Sequence, residues 1–278
     1  MAAGVVQGTR ELVADKLAPT TARAQQSNQD WTRCSDVGPA FEKRSRYTGQ
    51  AVIRTYRKIP VERLRLLVFD LDGTLVNSQI DVVYAINATL RHFGRSELST
   101  EVIAGYMADG RSRVLRRALG DPDDEAFVRG AHDFFTAYYK QHTLDHTYAH
   151  EGIMELLERV YAKGLKLAVL SNKPEDQSRR ILNGLAMARF FGQVYGGNSF
   201  ETKKPDPLGA RLLLDEVGVR PDEALMIGDS QDDVLTARNC GMWSLGVTYG
   251  FSRQSPDIHP PDVLVGTTGE IAAALGFA

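Results

Sequence analysis

The chain has 278 residues, 43% of them hydrophobic and 24% charged, with a formal net charge of -2. Those values describe an ordinary globular protein of one large domain or two smaller ones, and give no electrostatic case for a nucleic acid or an anionic membrane as partner. No apolar run approaches the roughly 18 residues that span a bilayer, and Cys34 and Cys240 form neither a metal cluster nor a disulfide framework, so a reducing cytoplasm is expected.

Residues 1–62 read differently from the rest. They hold few apolar clusters, and over the first sixty residues bases outnumber acids. A disordered extension that buries too little to fold is the first expectation. An Arg-rich targeting segment, or a translation start misplaced upstream of Val52 or Val61, would give the same pattern.

From Leu64 the pattern changes. Leu64-Arg65-Leu66-Leu67-Val68-Phe69 is a short apolar run ending in acids, as expected of a strand buried on both faces. Residues 81–147 follow with helical periodicity and no convincing strand; 82–93, 101–107, 113–119 and 124–140 are the expected helices. Residues 151–162 form an amphipathic helix stopped by Gly164, and 165–170 repeat the apolar strand. Weaker strand signals at 192–195 and 243–247 and a strong one at 224–227 alternate with helices at 208–217 and 232–240. This alternation predicts an α/β fold, a doubly wound parallel, Rossmann-like sheet over 63–80 and 149–278, with an α-helical cap inserted at 81–148. The insertion enters at the C-terminal end of the first strand, the edge at which such sheets bind ligands, and is placed to act as a lid.

The strand ends carry the chemistry. Asp70 and Asp72 are two residues apart on an extended segment and share a face, so their charges call for a cation or a proton. Mg²⁺ suits such hard oxygen donors. The turn at Gly73-Thr74 is expected to offer N–H groups to phosphate oxygens. Ser171-Asn172 supplies short donors at the next strand end, and Lys204, between Lys203 and Pro205, a held ammonium. Asp229 could complete a metal site, with Asp233 one helical turn on to orient Lys204 or the metal's waters. Each fragment alone also reads as ordinary structure: an Asp-Gly turn, a helix cap, a basic loop, acids at a helix N-terminus. Their joint appearance at successive strand ends does not.

In that order the fragments resemble the four motifs of the haloacid dehalogenase-like hydrolase superfamily: Asp70-Leu71-Asp72-Gly73-Thr74-Leu75, Ser171-Asn172, Lys204-Pro205-Asp206-Pro207 and Gly228-Asp229-Ser230-Gln231-Asp232-Asp233. The resemblance implies that Asp70 is the nucleophile and becomes an aspartyl phosphate, and that Asp72 is the general acid and base. It implies that Thr74, Ser171, Asn172 and Lys204 bind phosphate. Mg²⁺ is then held by Asp70, the Asp72 carbonyl and Asp229, with Asp233 in support. Asp72 favours phosphate-ester chemistry over dehalogenation, which needs no acid for a leaving alkoxide. The helical insertion, Gly110 and Arg117-Ala118-Leu119 resemble the phosphoglycolate phosphatase branch, although Asn77 stands where that branch usually has Asp. Arg111 and Arg113 are candidates to meet a substrate carboxylate or second phosphate.

A small phosphorylated metabolite is the expected partner, of a monomer or homodimer. Four activities stay open: a phosphatase for a small phosphorylated acid such as 2-phosphoglycolate, one for another sugar phosphate or pyrophosphate, a β-phosphoglucomutase-like enzyme, and a non-catalytic binding module.

Overall fold

The computed structural model describes residues 53–108, 113–252 and 255–277. Expectations for residues 1–52 and for Arg111 lie outside the described residues.

Strands β1 (Arg54–Thr55), β2 (Leu66–Phe69), β5 (Lys166–Leu170), β6 (Gln193–Tyr195), β7 (Ala224–Gly228), β8 (Trp243–Val247) and β9 (Val263–Val265) form a seven-stranded sheet in the order β1-β9-β8-β7-β2-β5-β6. All pairings are parallel except that of β1 with β9. The chain is therefore an α/β protein of the doubly wound kind. Side-chain alternation divides the core. Leu67 and Phe69 of β2, with Leu167, Val169, Leu225 and Ile227, face helices α5 (Ile153–Ala162), α6 (Glu175–Gly184) and α9 (Thr268–Ala274). Leu66 and Val68, with Ala168, Ala224 and Met226, face α7 (Leu208–Val217) and α8 (Gln231–Cys240). Burial on both faces is why these strands read as unbroken apolar runs.

The first part of the sequence needs one correction. Residues 53–62, assigned to the extension, join the fold: Arg54 and Thr55 pair with Leu264 and Val263, and Ile59 is buried in the core. Arg57 lies over the Trp243 ring at 4.5 Å and pairs with Asp262 at 3.2 Å. A two-residue strand is too short to show a period, which hid it.

Four helices, α1 (Gln79–His92), α2 (Thr100–Ala108), α3 (Val114–Ala118) and α4 (Glu125–His142), lie between two short strands, β3 (Val76–Asn77) and β4 (Tyr148–Ala149). They build a third apolar cluster from Val83, Ile86, Leu90, Ile103, Leu119 and Ala131, joined by Phe251 from the loop after β8. The chain leaves and returns through the antiparallel β3–β4 pair. There the Asn77 Nδ2 donates to the Tyr148 hydroxyl at 3.1 Å, and its Oδ1 accepts from the Gln79 N–H at 3.1 Å. The amide thus makes one bond that an aspartate could not donate. Buried Asp81 ties α1 to the returning chain, accepting from the His146 and Thr147 N–H groups at 2.9 Å each and the Thr147 hydroxyl at 2.6 Å.

His150 follows β4. Its ring lies 4.8 Å from that of Tyr249, and its Nε2 is buried without a partner among the described residues. Burial pushes its pKa down to about 4, against a weaker opposing effect of the Val76 backbone. Between there and the ordinary 6.5 the unfolded chain binds the extra proton, so stability rises with pH across this window and is lost as pH falls. The expected loss from this residue is about 3 kcal/mol between pH 7 and pH 4. Urea midpoints at the two pH values should differ less in His150→Gln than in the parent; an unchanged difference would exclude the assignment.

Candidate active site

The C-terminal ends of β2, β5 and β7 bring the chemistry together. β2 is hydrogen-bonded to both neighbours, with Phe69 level with Val169 and Ile227, so Asp70, Ser171 and Asp229 all emerge at one edge. All three are at most 9% exposed. Lys204 arrives from the loop before α7, and its ammonium bonds Asp70 Oδ1 at 2.9 Å and Asp233 Oδ1 at 2.6 Å. Asp233 is in the first turn of α8, where its other oxygen accepts from the Ser230 N–H and hydroxyl. Gly228 and Gly250 let backbone approach these acids. A Cβ on Gly228 would lie 2.1 Å from the Asp233 Cγ, and one on Gly250 2.3 Å from the Asp229 Cβ. The Phe251 N–H donates to Asp229 Oδ2 at 2.7 Å.

Two expectations about donors are revised. The Gly73 N–H donates to the Val76 carbonyl and the Thr74 N–H to Leu71, so both serve the turn. What Thr74 offers is its hydroxyl, buried without a partner among the described residues. The Asn172 amide is engaged with the backbone of Lys204 at both ends, accepting from its N–H at 2.9 Å and donating to its carbonyl at 3.0 Å. It fixes the lysine's backbone. Arg113 is exposed at the N-terminus of α3.

Asp72 has its own cation. The Lys173 ammonium lies 3.2 and 3.1 Å from its two oxygens, and the Ser78 hydroxyl donates to Oδ1 at 2.5 Å. The same ammonium donates to the Tyr139 hydroxyl at 2.7 Å and sits 4.5 Å from the centre of that ring. Burial alone would push the Lys173 pKa down; the Asp72 charge and Tyr139 outweigh it, and the net shift is upward. The same holds for Lys204, between Asp233 and Asp70. Neither ammonium loses its proton near neutral pH.

Buried Asp70, Asp72, Asp229 and Asp233 stand with buried Lys204 and the Lys173 side chain, which is 6% exposed; with all four acids ionised this is an excess of two formal negative charges. Carboxylate oxygens of Asp70, Asp229 and Asp233 lie within 4.8 Å of one another. Charge of that sign and size, on hard oxygens, fits a divalent cation.

A family model described as haloacid dehalogenase-like hydrolase matches residues 67–247, the stretch that carries Asp70, Asp72, Lys173, Lys204, Asp229 and Asp233. The chain belongs to the haloacid dehalogenase-like hydrolases. Within this family it falls in the phosphoglycolate phosphatase-like branch. A phosphoglycolate phosphatase of Vibrio parahaemolyticus is 32% identical over 218 residues, 75% of this chain and 94% of the relative. One from Rhodospirillum rubrum is 34% identical over 197 residues, 68% and 82% of the two chains. A crystal structure described as a predicted phosphoglycolate phosphatase of Haemophilus somnus superposes with a TM-score of 0.67 at 29% identity, covering 73% of this chain and 93% of that one.

In this haloacid dehalogenase-like hydrolase, the residues that motif reading left without a role are Lys173, Ser78 and Tyr139. Lys173 directly follows Ser171-Asn172, and its place after a strand-end Asn was the available signal. Tyr139 comes from α4, 34 residues before Lys173, and only the fold joins them.

Proposed function

We propose that the chain is a Mg²⁺-dependent phosphatase that hydrolyses a small phosphate monoester through an aspartyl phosphate on Asp70, with 2-phosphoglycolate as substrate. The observation that carries this reading is the pair of buried carboxylates at the end of β2, each with a separate ammonium: Asp70 with Lys204, Asp72 with Lys173. The two carboxylates are held by separate cations, which leaves each free to take a separate role. The names of the relatives support the substrate.

In this reading Asp72 takes up a proton as the ester binds, an Asp70 oxygen attacks phosphorus while the bond to the ester oxygen breaks, and Asp72 passes that proton to the departing oxygen. Asp72 then takes a proton from water, which attacks the same phosphorus and releases Asp70. Lys204, Ser171 and the Thr74 hydroxyl stabilise the phosphoryl oxygens, and Asn172 and Asp233 hold Lys204 in place. Asp70, Asp229 and the Asp72 carbonyl would hold Mg²⁺, with Asp233 beside them; when bound, it neutralises charge on the phosphoryl group. The same reading keeps the protein in the cytoplasm.

A phosphate-release screen over small esters with Mg²⁺ tests this. The highest kcat/KM should fall on 2-phosphoglycolate. EDTA should remove at least 90% of turnover, as an order-of-magnitude expectation for a metal-assisted step, and Mg²⁺ should restore it. Metal-independent hydrolysis, or isomerisation of β-glucose 1-phosphate without phosphate release, would overturn it.

A further inference from the structure

We propose that Lys173 is a specificity-determining residue, whose ammonium pairs with an anionic substituent on the carbon next to the ester oxygen of the substrate. The proposal rests on the reading of Asp72 as proton donor to that oxygen.

The geometry separates the two buried lysines. Lys204 lies between Asp70 and Asp233, on the side of the attacking group. Lys173 lies on the side of Asp72, and hence of the departing alcohol. A proton donor must come within about 3 Å of the oxygen it protonates. With the ammonium 3.1 Å from an Asp72 oxygen, the distance from ammonium to ester oxygen is at most about 6 Å. A carboxylate on the adjacent carbon has its oxygens three bonds from the ester oxygen, which places them about 3 Å from it. Turned toward the ammonium, it comes within hydrogen-bond reach of Lys173.

The surroundings suit that role. The Lys173 side chain is 6% exposed, and Tyr139 fixes it both through its hydroxyl and through its ring. A poorly hydrated ammonium gains more from a carboxylate than an exposed one does. Asp72 does not depend on Lys173 alone, because Ser78 also donates to it. When an arriving carboxylate draws away one Lys173 N–H, Asp72 keeps a donor. Exposed Arg113, by contrast, would pair with a carboxylate in competition with water. A lysine that served only as the counter-ion of Asp72 would weaken turnover of every ester alike when removed.

That difference is the test. Steady-state phosphate release with Mg²⁺ is compared on 2-phosphoglycolate and on ethyl phosphate, which has a methyl group in place of the carboxylate. The ratio of the two kcat/KM values should fall about 10- to 100-fold in K173M, through the KM for 2-phosphoglycolate. K173R should regain most of the ratio. Any loss shared by both esters reports the hold on Asp72 and cancels. Where K173M does not fold, K173Q, which keeps donors for Asp72 and Tyr139, should show the same fall. An unchanged ratio in the variants, or a wild-type ratio near one, would overturn the role of Lys173 and leave the phosphatase reading standing. Release from neither ester by the wild-type enzyme would overturn both.

Discussion

Asp70→Asn is expected to abolish phosphate release, lowering kcat by about 10⁴-fold or more, while the protein stays folded. An amide has the size of the carboxylate but cannot attack phosphorus, and loss of a nucleophile is among the most damaging single changes to an enzyme of this type. The fold should survive because β2 is held by its apolar residues: Leu66, Leu67, Val68 and Phe69 are fully buried, between two hydrogen-bonded neighbours. Lys204 also keeps Asp233. Without metal, stability should be unchanged or slightly higher, since one of three crowded carboxylates loses its charge. Turnover measurements beside thermal melts check both halves. Turnover at the parent rate would remove Asp70 from the role assigned to it.

Lys204→Met should damage both activity and stability. Its side chain is 3% exposed and bonds two buried carboxylates. Removing one partner of such a group leaves uncompensated charge, at a cost of about 3–5 kcal/mol. The loss should be largest without divalent cations, which would otherwise offset part of it. Adding Asp233→Asn to K204M should recover part of the stability, because the two sites are coupled, but no turnover. Urea midpoints of the single and double variants decide this; a double variant no more stable than K204M would show that charge compensation is not what Lys204 supplies.

What was legible in the sequence follows from how each element is buried. β2, β5 and β7 were visible because strands packed on both faces read as apolar runs, and α5 and α7 because each buries one stripe. Asp70, Ser171 and Asp229 were visible because strand ends place them, and strand ends are local; Lys204 was marked by Pro205 beside it in its loop. What the sequence hid was long-range or short. β1, β3 and β4 have two residues each and no period. The Asn172 amide reads as a phosphate donor until the Lys204 backbone, 32 residues away, is seen to occupy it. The turn N–H groups of Gly73 and Thr74 look available until Val76 and Leu71 claim them. Lys173 looked like a bystander because its partners, Asp72 and Tyr139, are 101 and 34 residues away.

The short pairing of Arg54–Thr55 with β9 bears on how the protein can be trimmed. Val263, Leu264 and Val265 are all buried, and β1 covers the outer side of this strand. A shortened version beginning at Val61 would keep every group around Asp70 yet uncover the backbone of an apolar border strand. Such a border invites another molecule to add a strand of its own. The first residues of the fold would then matter less to turnover than to whether the protein stays dispersed at high concentration.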